Sequence, residues 1–341
     1  MSATTTGSAA ATARGTGTAA GTELPAVVRV GTRRSLLATT QSETVAAMIR
    51  ERLGCETALV EVSTLGDRSQ AAGTPLTDLV DGSAPGVAGG TGVFVGALRE
   101  ALAEGRVDVA VHSLKDLPTY PEPGLSLAAV PGREDPRDVV VARDGLTLGE
   151  LPVGSVVGTG SPRRAAQLHA LGLGLDVRGV RGNVDTRIAV VTSGRYDAVV
   201  LARAGLARLG RLDEATEVLD PIQVLPAPGQ GALAVECRVG EPLAAALAGL
   251  DDPRARACVE TEREVLAVLE GGCSAPIGAL AEVVEGEDGE ELWVRAVALS
   301  TDGTLAVRRS AAGPLADPRG LGERLAREML ADGAGDLEQD P

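Results

Sequence analysis

The 341-residue sequence predicts an α/β protein with two similar doubly wound lobes and a small α+β C-terminal domain. Three observations point there. Strand-like and helix-like stretches alternate from residue 26, which builds parallel or mixed sheets covered on both faces. Two motif pairs recur in the same order: "VGTRRS" (30–35) with "VGTGSPRR" (157–164), and "EGRVDVAV" (104–111) with "SGRYDAVV" (193–200). The last third changes to a long helix, strand-like runs and a second, charged helix. Paired lobes of this kind hold ligands in the cleft between them.

The elements follow in order. "AVVRVGT" is a short apolar strand, and "LLATTQSETVAAMIRERL" places Leu37, Val45, Met48, Ile49 and Leu53 at helical spacing. "ALVEVST" is the next strand. "FVGALREALAEG" repeats Phe94, Leu98 and Leu102 and stops at Gly105, and the strand "VDVAVHS" follows. The second block reads strand "SVVGT", helix "SPRRAAQLHALG", strand "LDVRGV", helix "NVDTRIAVVTSG" and strand "DAVVLA". The C-terminal part reads helix "PRARACVETEREVLAVLEGG", strands "IGALAEVV" and "ELWVRAVALS", and helix "DPRGLGERLAREML". The division expected is lobe 1 at 26–131 and 231–249, lobe 2 at 132–230 and a C-terminal domain at 250–332, with disordered tails at 1–25 and 333–341. The Gly/Pro/Ser-rich stretch 81–92 is long for a connection, and such loops tend to be mobile or functional.

Composition narrows the function classes. Net charge is −15 with a pI of about 4.7, against what a nucleic-acid or membrane-surface protein carries. Aromatics make up 1% of residues, too few for base-stacking platforms. Four cysteines (55, 237, 258, 273) and two histidines (112, 169) form no metal-ligand spacing. The expectation is therefore no metal and reduced thiols. No apolar run reaches the ~18 residues of a membrane span. The first 24 residues lack the apolar core of a secretory signal. Together these predict a cytoplasmic monomer that takes a small molecule, without nucleic acid or membrane.

The cations carry the chemistry. Of 32 Lys plus Arg, one is lysine, Lys115, in "VHSLKDLPT". Arg33 and Arg34 lie at a strand-to-helix turn. Arg163 and Arg164 fall in the first turn of a helix that Ser161 caps and Pro162 opens. Cations there oppose the helix dipole, so either they are solvated or an anion joins them. Arg178, Arg181, Arg187 and Arg208 add forks, which suits a ligand with many carboxylates. Asp116 follows a strand and precedes Pro118, as a turn residue or a cleft carboxylate. A lysine retained among arginines suits a point charge or a Schiff-base nucleophile. Cys273 follows a helix C-terminus, which raises a thiol pKa and suits a structural cysteine.

Nine collinear stretches then bring a resemblance: "GTRRSLLATTQ", "GVFVGALREAL", "VDVAVHSLKDLPT", "REDPRDVVVAR", "GTGSPRRAAQL", "VRGNVDTR", "YDAVVLARAGLARLG", "LPAPGQGALAVECR" and "LEGGCSAPIG". From about residue 27 to 282 the chain resembles the hydroxymethylbilane synthase (porphobilinogen deaminase) family. The resemblance implies two lobes like type II periplasmic binding proteins. It implies stepwise head-to-tail condensation of four porphobilinogens with loss of ammonia, then hydrolytic release of a linear tetrapyrrole. It implies a dipyrromethane cofactor in thioether linkage to Cys273 and Asp116 as the catalytic carboxylate. By position it assigns Arg33, Ser35, Lys115, Thr159, Ser161, Arg163, Arg164, Arg181, Arg187, Arg208 and Gln230 to cofactor and substrate carboxylates. Lys115 then reads as a cation beside Asp116, since this chemistry needs no Schiff base. The sequence departs from the family where many members have loop lysines around the phenylalanine; here Thr91 and Gly96 stand. The rival reading is a two-lobed module that binds small anions without catalysis.

Overall fold

The computed structural model describes residues 24–62, 92–270, 276–287 and 289–337. The tails up to 23 and from 338, the stretch 63–91 with Thr91, and Cys273 lie outside the described residues.

In chain order the strands of the first block are β1 (Val27–Thr32), β2 (Glu56–Glu61), β3 (Val109–Ser113) and β4 (Leu125–Ala129). The second block holds β5 (Asp138–Ala142), β6 (Val156–Gly158), β7 (Asp176–Arg178), β8 (Ala198–Ala202) and β9 (Glu217–Val218). Then come β10 (Leu233–Arg238) and the C-terminal β11 (Ile277–Gly286), β12 (Gly289–Leu299) and β13 (Ala306–Pro314). The helices are α1 (Leu36–Leu53), α2 (Gly92–Ala103), α3 (Pro162–Ala170), α4 (Val184–Thr192), α5 (Arg203–Arg208), α6 (Pro242–Leu247), α7 (Pro253–Glu270) and α8 (Pro318–Ala331).

The two lobes share one sheet plan, β2-β1-β3-β10-β4 and β7-β6-β8-β5-β9. The recurring motifs occupy equivalent places in it. "VGTRRS" leaves β1 and "VGTGSPRR" leaves β6, and each strand pairs in parallel with the one that carries the second motif. Val30 sits opposite Val109 in one lobe and Val157 opposite Ala198 in the other. The fourth strand of each sheet runs antiparallel and arrives from the other side of the molecule. Residues 130–137 carry the chain into lobe 2 at β5, and 219–232 bring it back to lobe 1 at β10. Gly231 is where these crossovers touch. Its φ is +88°, and a Cβ there would lie 2.2 Å from the Glu134 carbonyl oxygen. No side chain fits that approach.

Local chemistry explains the helix ends that matter. Ser35 caps α1 by accepting from the Ala38 N–H at 3.4 Å, and Gly54 closes it in the left-handed region. Ser161 caps α3 with Pro162 as its first residue, as the sequence predicts, and Asn183 caps α4. Each sheet buries apolar side chains against its helices: Val28, Val30, Val109, Val235 and Ile49 in lobe 1, and Val140, Val157, Val200 and Leu168 in lobe 2.

The C-terminal domain is a three-stranded antiparallel sheet, β11-β12-β13. Helices α7 and α8 cover one face, burying Val265, Leu269, Leu292, Val294, Leu321, Leu325 and Met329. The opposite face meets lobe 2 where Leu280, Val297 and Leu299 pack on Ala166 and Leu225.

Candidate active site

β3 ends at Ser113 and turns once through Leu114, Lys115 and Asp116. The buried Leu114 and Leu117 fasten this turn. The Leu114 N–H donates to the Ala232 carbonyl at 3.0 Å, and the Leu117 N–H to Leu114 at 3.1 Å. Lys115 and Asp116, half-buried between them, are left for the cleft. Lys115 Nζ donates to Gln230 Oε1 at 3.2 Å. Burial, reinforced by Arg164, pushes the Lys115 ammonium down to about 8, while Asp116 and Asp138 pull the other way. Asp116 also acts on Arg187, whose guanidinium is lowered by burial and by Arg164. The carboxylate therefore lies among cations from both lobes.

Arg163 and Arg164 are both buried. The sequence reading offered solvent or a bound anion as their company, and the structure supplies a third answer, Asp138 at the start of β5. Arg163 Nη2 meets one carboxylate oxygen at 2.8 Å and Arg164 Nη2 the other at 2.7 Å. Burial would raise the Asp138 pKa; the two guanidiniums outweigh it and hold the carboxyl well below the usual range. Arg163 also donates to the Leu225 carbonyl, and Arg164 to Val200 at 3.0 Å. Gln230 completes the knot: its Nε2 donates to Asp138 Oδ1 and to the Pro136 carbonyl, each at 2.7 Å. Its Oε1 accepts from Lys115 and, at 3.4 Å, from Arg164. Even so, the Nε atoms of Arg163 and Arg164 are buried without an acceptor among the described residues.

The remaining predicted residues sort by distance from this knot. Arg187 donates to the Gly182 carbonyl at 2.9 Å and Arg208 to Gly231 at 2.6 Å. Burial lowers both guanidiniums, and neither has a carboxylate in an ion pair among the described residues. Thr159 is buried and its Oγ1 accepts from the Ser161 N–H at 3.2 Å. Arg33 and Ser35 stand at the start of α1, on the side facing lobe 2; Leu37 Cδ2 lies 3.8 Å from where a Cβ on Gly205 would be. Arg34 turns away to Glu61 at 2.8 Å. Arg181 is exposed in the turn after β7. Cys273 lies outside the described residues.

Two further residues escaped the sequence reading. Glu262 on α7 is fully buried in the C-terminal domain, and Arg133 reaches it from the first crossover with two hydrogen bonds of 2.7 and 2.9 Å. The same carboxylate accepts from the Gly229 N–H at 2.7 Å and the Ala281 N–H at 2.9 Å. Arg133 Nε donates in turn to the Gln230 carbonyl at 2.9 Å. The C-terminal domain thus holds the segment that presents Gln230. The signal was a glutamate beside Thr261 within an otherwise apolar helix face, too slight to separate from a solvated position.

The family description "Porphobilinogen deaminase, dipyromethane cofactor binding domain" matches residues 28–245, and "Porphobilinogen deaminase, C-terminal domain" matches 256–331. A porphobilinogen deaminase of Mycobacterium marinum is 57% identical over 318 residues, covering 91% of this chain and 96% of its own. One from Mycobacterium tuberculosis is 57% identical over 320 residues, covering 91% and 98%. Among solved structures, a putative methionine-binding lipoprotein from Bacillus subtilis aligns with a TM-score of 0.39 at 15% identity, covering 66% of this chain and 88% of its own. A periplasmic substrate-binding protein from Coxiella burnetii aligns at 0.40 and 14%, covering 69% and 96%.

Proposed function

Because this chain belongs to the porphobilinogen deaminase family, we propose a division of its residues over that family's reaction, with Asp116 as the catalytic carboxylate. The family's reaction is a transfer that condenses four porphobilinogens head to tail with loss of ammonia and releases the linear tetrapyrrole hydroxymethylbilane. The observation that carries the residue assignment is the excess of buried and half-buried cations around Asp116. Lys115, Arg163, Arg164 and Arg187 act on one another and on two carboxylates, Asp116 and Asp138.

Each pyrrole of substrate and cofactor brings an acetate and a propionate. The orphaned Nε atoms of Arg163 and Arg164, and the carboxylate-free burial of Arg187 and Arg208, fit such a polycarboxylate. Those four arginines, with Arg33, Arg181, Lys115, Ser35, Thr159, Ser161 and Gln230, would hold the dipyrromethane and the incoming ring. The bound dipyrromethane supplies the pyrrole carbon that primes chain growth. Cys273 is its proposed thioether attachment.

Asp116 stabilises the cation left on the substrate when ammonia departs, and accepts pyrrole N–H bonds. It can also hold the proton exchanged at the leaving amine. Lys115 balances this carboxylate within the cleft and contributes charge to the ligand's carboxylates. Asp138 keeps Arg163 and Arg164 in place, so their forks need no reorganisation when ligand arrives. The proposed setting is a cytoplasmic monomer; among the described residues no helix is long and apolar enough to cross a membrane, and Cys55, Cys237 and Cys258 are buried free thiols.

The test is the intact mass of purified protein beside a Cys273→Ala variant. Wild type should exceed its sequence mass by two porphobilinogens less two ammonias, and the variant should not. Bare sequence mass that stays bare after incubation with porphobilinogen would leave an anion-binding module as the better account.

A further inference from the structure

The turn that carries Lys115 and Asp116 is gripped from the C-terminal domain. Arg263, on α7, places its guanidinium over three carbonyls of that turn: Nη1 donates to Leu117 at 2.8 Å and to Leu114 at 3.4 Å, and Nη2 to Pro118 at 2.6 Å. These carbonyls bracket the two residues on either side. Leu114 and Leu117 are themselves buried, so losing the donor would leave their carbonyls short of a partner. A planar fork with fixed N–H directions sets the orientation of the turn as well as its position, which an ammonium on a flexible stem does less well.

The neighbouring Glu262 grips the other half of the site. It holds the Gly229 N–H directly and the Gln230 carbonyl through Arg133. Consecutive residues of one helix therefore fix the turn bearing Asp116 and the segment bearing Gln230. The same α7 runs on to Glu270, seven residues or about 10 Å further along its axis.

We propose that Arg263 is a positioning residue for catalysis, which indexes the Lys115–Asp116 turn to helix α7 so that the carboxylate keeps its place relative to the C-terminal domain. This rests on the reading of Asp116 as the catalytic carboxylate. These three bonds go to backbone carbonyls, so the grip does not use the Lys115 or Asp116 side chain. Its effect is expected in the rate of the chemical step and not in substrate affinity, because a displacement of about 1 Å at a reacting group costs on the order of 10²-fold.

The experiment compares holoenzyme carrying Arg263→Met, Arg263→Lys or Asp116→Asn, each checked by intact mass for the assembled cofactor and by thermal unfolding for the fold. Arg263→Met should lower kcat by at least about tenfold with KM within about threefold, and Arg263→Lys, which keeps a cationic donor but not the planar fork, should recover only part of that loss. Wild-type kcat in Arg263→Met overturns the proposal. So does an equal loss in both variants that tracks their melting temperatures, because that is a fold effect alone. Asp116→Asn separates the two readings. Full turnover there sinks the role of Asp116, and with it a clamp acting through Asp116, whereas full turnover confined to Arg263→Met sinks the clamp only.

Discussion

Arg164 and Gln230 meet on the same oxygen of Asp138: Arg164 Nη2 and Gln230 Nε2 each lie 2.7 Å from Oδ1. One buried carboxylate of lobe 2 thus holds an arginine of its own lobe and, through Gln230, the lysine of the other. Removing its charge leaves two buried guanidiniums uncompensated, the costly way to break a buried ion pair. Asp138→Asn should lose about 3–5 kcal/mol of stability, against about 1 kcal/mol or less for a surface pair. Denaturant unfolding of the cofactor-loaded variant measures it. A loss below about 1 kcal/mol would show that the knot is not a structural centre.

Lys115 gives a pH signature. Its folded pKa, about 8, lies below the ordinary lysine value of 10.5, so the folded protein gives up this proton first as pH rises. Between those values the unfolded chain binds more protons, and stability gains from this group as pH rises. Ligand binding moves the other way, because a neutral amine offers carboxylates no charge. kcat/KM should therefore fall above about pH 8 in wild type. Lys115→Arg should retain partial activity and lose that descending limb, since an arginine stays charged. A limb that persists in the variant would assign it to another group.

Asp116 should behave differently from its neighbour. Asp116→Ala removes the charge proposed to face the developing cation, an interaction worth on the order of 10²–10³ in rate in comparable sites. Steady-state turnover of Asp116→Ala beside Lys115→Arg is the measurement. Small, equal losses in both would remove Asp116 from its role.

Much of this was legible in the sequence, and the reason differs from part to part. Helix α1 was read to its observed ends, because the spacing of Leu37, Val45, Met48, Ile49 and Leu53 is a local signal; the caps Ser35 and Gly54 that fix those ends were not part of that reading. The likeness of the lobes was legible because "VGT" and "DVAV" or "DAVV" mark β1 with β3 and β6 with β8, which are adjacent strands in each sheet. Strands β5 and β10 were not picked out, although "DVVVA" and "LAVECR" are apolar enough: β10 joins a sheet whose other strands lie far back in the chain, and β5 pairs with β8 and β9 and not with β6, its neighbour in sequence. Asp138 was missed for the same reason. Its partners are 25 and 26 residues away and meet it only because the crossover inserts β5 beside β8. The arginines were found because a cation in the first turn of α3 is anomalous by local rules alone. Their compensation depends on topology.

The arginines should separate into two stages. Arg164 sits in the knot beside Lys115, whereas Arg208 hangs from Gly231 on the second crossover, clear of Asp138. Arg164→Leu should arrive without cofactor mass or stall at the first additions. Arg208→Leu should carry the full cofactor and show a raised KM for porphobilinogen. Mass spectrometry of the purified variants followed by KM determination distinguishes them. Full cofactor and normal KM in both would remove the multi-carboxylate account of these cations.

A second buried carboxylate tests the frame on which Lys115 and Asp116 stand. Glu236 on β10 lies 3.1 Å from His112 of β3 and accepts from Arg99 of α2 at 2.8 Å, all three buried. Burial would raise its pKa, but the close approach of His112 and the hydrogen bonds from Arg99 outweigh it and bring it down to about 2, below the ordinary 4.5. A depressed carboxylate contributes stability that is full above 4.5 and lost as pH falls from there towards 2. The shift corresponds to about 3 kcal/mol at neutral pH. Glu236→Gln should lose about that much at pH 7 and show a shallower fall in stability between pH 4.5 and 2 than wild type. The comparison is denaturant unfolding at stepped pH. Parallel slopes in the two proteins would mean that the triad is not what ties α2 and β10 to the strand leading into the Lys115–Asp116 turn.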